Sequence, residues 1–376
     1  NSTVVSFTAF NGGIDMANYV TFFPVGNGDM TLFSTEDKVN FLIDCNIRKE
    51  SEDDESEMYD CNKYLHDNLE ADGKQVYLDA FFLTHSDHDH CRGIEEYFNL
   101  CAPSDCEIDK IRINELCVPA RILVDDNLTN DDAKALKAEA ERRLDLYGKD
   151  DFDVDGNRLK IIGYSEDLAD YADIMTVAGE TISELNGETD FGCEIFVLRP
   201  VKKSTDDEDA GVNECTASFY ISFAMGDNTY SVMIMGDIEC ENWKEVISLN
   251  EDKEYDVLLA PHHCSWHAIS TEDTSTGSID SLIEEYLQKS KEKAYIIASS
   301  KKIKRNADNP PSYRAMNAYK NCVKNDNRFI CTADELYNDE PIPVKLKITK
   351  QGVTKDSIKT DIKKHSTYTP KSYGEY

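Results

Sequence analysis

The sequence predicts an α/β fold made of two blocks of strands with helices, joined by an insertion. Three observations predict it. Short apolar runs of strand length are punctuated by Gly, Asn and Asp; capped helix-forming stretches separate some of them; and polar clusters rich in His and Asp follow the apolar runs directly.

Tyr19–Pro24, Met30–Phe33 and Val39–Ile43 read as consecutive strands, with the Gly26-Asn27-Gly28-Asp29 turn between the first two. The acidic stretch Ile47–Glu57 cannot bury itself and reads as a loop or solvated helix start. Tyr77–Leu83 is the next strand and runs into the densest histidine cluster. Asn130–Tyr147 reads as a helix, capped by Thr129 or Asn130, filled with Ala, Leu, Lys, Glu and Arg, and followed by Gly148. Around it, residues 119–187 form an acidic, weakly patterned stretch, expected to be an insertion that roofs the main body. The second block of strands is Glu194–Leu198, Ser218–Ala224, Ser231–Met235, Asp256–Ala260 and Ala294–Ala298. Ser278–Lys291 is its amphipathic helix, and a mobile polar tail is expected over 350–376. No solenoid repeat interrupts this pattern, and the whole chain, 1–376, reads as one domain.

Composition narrows the function classes. The 376 residues carry 40 Lys+Arg against 73 Asp+Glu, a net charge of −33, so a non-specific coat for nucleic acid is excluded by its own field. A local basic patch could still guide one strand into a cleft. No run approaches the roughly 20 apolar residues of a membrane span. The first basic residue is Lys38, so no signal peptide is expected. Twelve scattered cysteines without a C-x-x-C pair read as reduced thiols of a cytoplasmic protein.

Six of the eight histidines fall in two windows, His85–His90 and His262–His267, each directly after an apolar strand. The first reads Thr84-His85-Ser86-Asp87-His88-Asp89-His90. Alternate residues of an extended segment face one way, so His85, Asp87 and Asp89 can converge, and His90 can join Asp89 where the chain turns near Gly93. That offers imidazole plus carboxylate to each of two cations, the pairing used to hydrolyse phosphodiesters. His88 has the wrong parity. An isolated H-x-D is ordinary on a solvated loop; the full pattern after a strand is not.

The chain resembles the metallo-β-lactamase-fold hydrolases, and within them the ComEC-like competence-protein branch, whose signature carries Asp at the second histidine position. Phe22–Leu32, reading FFPVGNGDMTL, resembles that branch's opening strand, glycine turn and Asp. Phe41-Leu42-Ile43-Asp44 resembles the second-strand Asp, Met235-Gly236-Asp237 the bridging Asp, and Pro261-His262-His263-Cys264-Ser265 the Pro-His-His-Gly-Ser segment. These segments occur in family order over residues 20–315. The sequence departs in having no histidine between His90 and His262, where Asn213–Ser218 resembles the branch's Asn…Ser segment. It departs again in Cys264 for glycine, in Cys91-Arg92-Gly93 after the metal loop, and in Asn306…Asn309-Pro310 without a histidine.

The resemblance implies an αββα sandwich and a dinuclear site for two divalent ions, Zn²⁺ or Mn²⁺. His85 and Asp87 would hold the first ion, Asp89 and His90 the second, with Asp237 bridging. One of His262 and His263 would complete the second ion. Asp44 and Asn213 would support the ligands, and Asp29 is either a turn residue or part of the site rim. Asp89 and His267 are the catalytic candidates. His267, or whichever of His262 and His263 is not a ligand, would protonate the leaving group of a reaction driven by metal-activated water. Arg92, Lys301, Lys302, Lys304 and Arg305 could hold substrate phosphate. The expected function is a metal-dependent phosphodiesterase or nuclease, with nucleic acid or a small phosphodiester as substrate and no membrane contact. The alternatives are a small-molecule ester, cyclic-nucleotide or lactone hydrolase, and a catalytically degenerate partner of another protein.

Overall fold

The computed structural model describes residues 17–356 apart from 54, 55, 202–214, 307, 308 and 324. Two large mixed sheets face each other, and helices cover their outer faces. The first sheet runs Met175–Thr176, Arg158–Ile162, Ile111–Pro119, Gln75–Phe82, Asn40–Ile43, Thr31–Ser34, Asn18–Phe22, Val344–Thr349 and Gly352–Lys355. The second runs Thr181–Ile182, Glu194–Arg199, Ser218–Met225, Asn228–Ile234, Val257–Leu259, Tyr295–Ala298 and Phe329–Cys331.

The layering follows from side-chain alternation along each strand. Phe41 and Ile43 point between the sheets while Leu42 points to the outer helices; Phe82 points inward and Phe81 outward. In the second sheet Val257, Leu259 and Ile297 face the first sheet, and Leu258 and Ile296 face outward. Both faces are covered, so these strands are apolar at nearly every position. Aromatic contacts fill the interior: Phe33 stacks on Phe41 at 4.7 Å between centroids, and Phe82 meets Phe219 across the sheets at 5.4 Å. Each such side chain contributes roughly 1.5–3 kcal/mol through burial. The outer layers are Cys61–Asn68 and Asp131–Leu144 on one side, and Cys240–Leu249, Ser281–Gln288 and Tyr313–Cys322 on the other.

Two expectations need correction. Residues 119–187 do not roof the molecule: Arg158–Ile162 extends the first sheet in parallel with Ile111–Pro119, and the helix Asp131–Leu144 packs on that sheet's outer face. Buried Arg143 donates to the carbonyls of Ile113 and Arg158 and pairs with Glu139 at 2.7 Å, which fastens the helix down. The polar tail begins later than expected, because Gly352–Lys355 pairs with Val344–Thr349; residues 357–376 lie outside the described ones. No disulfide joins any of the twelve cysteines. No helix among the described residues is long and apolar enough to cross a membrane.

In each sheet a run of parallel strands ends at one common edge. Asp44 follows Asn40–Ile43, Thr84 and His85 follow Gln75–Phe82, Asp237 follows Asn228–Ile234, and His262 follows Val257–Leu259. The carboxyl ends of parallel strands are where open α/β sheets place their ligands.

Candidate metal centre

Asp237 is the point on which the imidazoles converge. His90 Nε2 lies 3.2 Å from its Oδ1, and His263 Nε2 lies 3.4 Å from its Oδ2. His262 Nε2 and His85 Nε2 approach the same Oδ2 at 3.7 and 3.9 Å. His90 Nε2 and His263 Nε2 face each other at 3.4 Å, and Asp89 Oδ2 is 3.4 Å from His263 Nε2. Asp87 Oδ2 is 3.7 Å from His85 Nε2. Donor atoms about 2.0–2.1 Å from a tetrahedral ion lie about 3.3–3.4 Å from one another, close to the shorter of these spacings.

The hydrogen-bond network assigns the tautomers of two histidines. The Thr84 hydroxyl donates its one hydrogen to Asp44 Oδ2 at 2.7 Å, so at 3.0 Å it accepts from His85 Nδ1. His85 Nε2 is then a bare lone pair, buried and without a hydrogen-bond partner. His90 Nδ1 donates to Asp44 Oδ2 at 2.8 Å, which turns Nε2 inward. Asp237 Oδ1 is likewise buried without a hydrogen bond. Acceptors thus face acceptors, and such an arrangement needs protons or cations between them.

The charges follow. Burial opposes ionisation of His90, but Asp237 and Asp44 outweigh it and hold the imidazolium well above the ordinary value. His263 is raised in the same way, against burial, by Asp237, Asp29 and Asp89. Asp237 and Asp89 are lowered despite burial by the facing histidines. His85 is kept neutral by burial and then by the charge on His90. Protons therefore occupy the cluster wherever a cation does not. Asp29, His90, Asp237 and His263 are all buried and bring ligand atoms within 4.8 Å of one another, so this group could hold a metal ion.

Local structure holds these side chains in place. Thr84 N donates to Asp44 Oδ1 at 2.7 Å, locking the two strand ends together. The glycine turn closes over the cluster: Gly28 N reaches His263 Nδ1 at 3.2 Å, and Asp29 N donates to the Asp89 carbonyl at 3.2 Å. A Cβ at Gly28, where φ is +133°, would lie 1.9 Å from Asn46 Nδ2 and 2.6 Å from the Asp89 carbonyl oxygen. Only glycine fits there. His262, His263 and Cys264 take φ values of 49°, 52° and 66°, a left-handed turn that carries the two imidazoles to the Asp237 carboxylate. Asn309 Oδ1 braces that turn by accepting from Trp266 N at 2.7 Å. The helix Asp131–Leu144 and its cap hold the His85–His90 segment from behind: Asn130 donates to the Ser86 carbonyl, and Asp132 accepts from Gly93 N.

The expected site residues divide. His85, Asp87, Asp89, His90, Asp237, His262 and His263 come together. Asp44 stands behind His90, and Asp29 stands behind His263 at 3.5 Å from Nδ1, where the sequence left turn or rim open. His88 lies outside, half exposed and 3.2 Å from Asp132. His267 is exposed, with its backbone N–H on Ser265 Oγ at 3.1 Å, and among the described residues no contact joins its imidazole to the cluster. Asn213 lies outside the described residues, and Ser218 spends its hydroxyl on the Met235 carbonyl. Of the basic stretch, Lys302 pairs with Asp334 at 3.6 Å and Arg305 lies over the Tyr313 ring. Lys304 is exposed, and only Lys301 is tied to the glycine turn, its N–H donating to Asn27 Oδ1 at 3.0 Å. Sequence reasoning missed Thr84, although it directly precedes His85, and Arg48, hidden in a stretch read as acidic loop.

The chain matches no protein-family model and no curated protein.

Proposed function

We propose that the protein is a metal-dependent hydrolase of metallo-β-lactamase-like fold that cleaves phosphodiester bonds with two divalent ions, Zn²⁺ or Mn²⁺. One observation carries the reading: His85 Nε2 is a buried acceptor without a hydrogen bond, aimed at the Asp237 carboxylate on which three further imidazoles converge. The two facing sheets with outer helices, and a site at the carboxyl ends of strands, support the fold part of the reading.

Asp89, His90 and His263 would hold one ion and His85, Asp87 and His262 the other, with Asp237 between them. His262 then stands in for the histidine that the chain lacks between His90 and His262. Divalent ions there supply Lewis acidity, bringing the pKa of water to about 7 and drawing charge from a phosphoryl oxygen. The chain's own contribution is orientation. Asp44 and Thr84 fix the rings of His90 and His85, Asp29 faces Nδ1 of His263 and would fix that ring, and the partly exposed Asp87 and Asp89 mark the open side where a substrate would enter. The net charge of −33 favours a small phosphodiester over a long polyanion as substrate.

The test is cleavage of single-stranded DNA, RNA, cyclic dinucleotides and bis(p-nitrophenyl) phosphate with Mn²⁺ or Zn²⁺. Cleavage that disappears in His85→Ala and Asp237→Asn is expected. Absence of cleavage across the panel by metal-loaded protein would contradict the reading. Rates on a small ester should change little with salt, whereas binding of a long nucleic acid should weaken steeply.

A further inference from the structure

Arg48 and Arg92 stand out in a chain so rich in carboxylates. Arg112, Arg121, Arg142, Arg143, Arg158 and Arg199 are each paired with Asp or Glu. Arg305, Arg314 and Arg328 lie over the rings of Tyr313, Trp266 and Tyr295. Among the described residues, the guanidinium groups of Arg48 and Arg92 have neither a carboxylate partner nor such a ring, and Arg48 Nε is buried without any hydrogen bond.

The backbone forces the two together. The segment after Asp44 runs parallel to the end of the metal loop, with Cys45 opposite Cys91 and Asn46 opposite Arg92, and Ile47 N donates to the Arg92 carbonyl at 3.0 Å. Both side chains are partly buried and line one open cleft beside the loop. Arg48 also reaches the glycine turn: a methyl group at Gly26 would meet its Nη2 at 3.6 Å and Lys301 Cγ at 3.7 Å. That turn carries Gly28, whose N–H touches His263. Burial and then the neighbouring charge of Arg92 disfavour the Arg48 guanidinium, and Glu50 and Asp89 offset them in part. No described carboxylate lies within ion-pair distance of either guanidinium, Glu50 and Asp89 acting on Arg48 only from farther away, and a bound anion relieves the repulsion between the two cations.

We propose that Arg48 and Arg92 form an anion subsite on the rim of the cluster that receives a phosphate group of the substrate. The inference rests on the reading of the cluster as a metal centre and specifies its substrate class: a phosphate ester, recognised by the planar guanidinium fork, and not a neutral lactone or carboxylic ester. The pair takes up Arg92, already expected from the sequence to hold phosphate beside Lys301, Lys302, Lys304 and Arg305, and adds Arg48 to it.

The experiment titrates inorganic phosphate into the full chain by calorimetry, with and without Mn²⁺, and measures metal content alongside. Wild type is expected to bind phosphate. Arg48→Ala and Arg92→Ala should each weaken it about tenfold or more with unchanged metal content and an undiminished melting temperature, and Arg48→Lys should restore only part of the loss. With bis(p-nitrophenyl) phosphate the loss should fall mainly on KM. Phosphate affinity unchanged in both alanine variants, or no phosphate binding by wild type in either state, overturns the proposal. If wild type retains no metal, the metal reading fails, while phosphate binding by the metal-free chain that both variants lose still supports the subsite.

Discussion

His90 Nδ1 donates a 2.8 Å hydrogen bond to Asp44 Oδ2, and both side chains are fully buried. The contact points the other ring nitrogen at Asp237 and sets the direction in which His90 can serve as a ligand. Carboxylates behind ligand histidines typically change metal affinity by about 10- to 100-fold when removed. Asp44→Ala is therefore expected to weaken Zn²⁺ or Mn²⁺ binding by about that factor in a competition titration. An affinity equal to wild type in a folded variant would show that His90 needs no such support.

His85→Ala and His88→Ala form a matched pair. The two residues are three apart, but only His85 turns its Nε2 toward Asp237. Metal retention should fall in His85→Ala and stay at the wild-type level in His88→Ala, whose imidazole meets Asp132 at the surface. Equal loss in both would mean that the loop as a whole, rather than its inward face, holds the ion.

The cluster makes stability depend on pH in a definite sense. The raised imidazoles of His90 and His263 stabilise the metal-free fold fully below about 6.5, the value of an unfolded histidine, and that contribution disappears as pH rises through their folded values. The lowered carboxyls of Asp237 and Asp89 contribute above 3.8, and their contribution is lost as pH falls through their folded values. Metal-free protein should thus melt at a higher temperature at pH 6 than at pH 8.5. Because bound metal takes the place of the protons, the stabilisation gained on adding Zn²⁺ should increase over the same interval. Thermal melts with and without metal check both slopes, and a metal effect that shrinks with rising pH would contradict the assignment.

Gly28→Ala introduces a Cβ into Asn46 and the Asp89 carbonyl at a φ of +133°. The backbone conformation alone costs about 1–3 kcal/mol, and the overlap must displace the turn from His263. Urea denaturation should show a loss of at least that size, accompanied by weaker metal binding. A neutral substitution would mean that the turn closes over the cluster without strain.

Arg143→Ala tests whether the stretch 119–187 belongs to the body of the fold. It removes one of the two arginine partners of almost fully buried Glu139, Arg142 remaining at 2.8 Å, together with the hydrogen bonds to Ile113 and Arg158. Breaking a buried pair outright costs about 3–5 kcal/mol, and because Arg142 keeps Glu139 paired the loss lies toward the low end. A loss of that order in a single cooperative transition is expected. A small effect, or separate melting of this stretch, would instead describe an appended lid.

The site was more legible in the sequence than the fold around it. His85, Asp87, Asp89 and His90 share one short segment, so their alternation can be read directly, and the strand ends before Asp44 and Asp237 are marked by apolar runs. The sequence could not separate His262 from His263, because the left-handed turn that carries both to Asp237 is set by packing against Asn309 and Gly236. The strands Ile111–Pro119 and Arg158–Ile162 were missed for a related reason. Buried Asn114 and Glu115 interrupt the first, and Arg158 and Lys160 the second, their polar groups being satisfied by partners far along the chain, such as the 3.3 Å pair between Lys160 and Glu115. Arg48 escaped notice because its importance lies in what does not pair with it, and a sequence does not record partners.

The most direct test is the metal content of purified protein exposed to Zn²⁺ or Mn²⁺ and freed of excess ion. The account predicts that wild type retains one ion or more per chain and that folded Asp237→Asn retains markedly less. Wild-type protein that keeps no ion, or an Asp237→Asn variant that keeps as much as wild type, would contradict it.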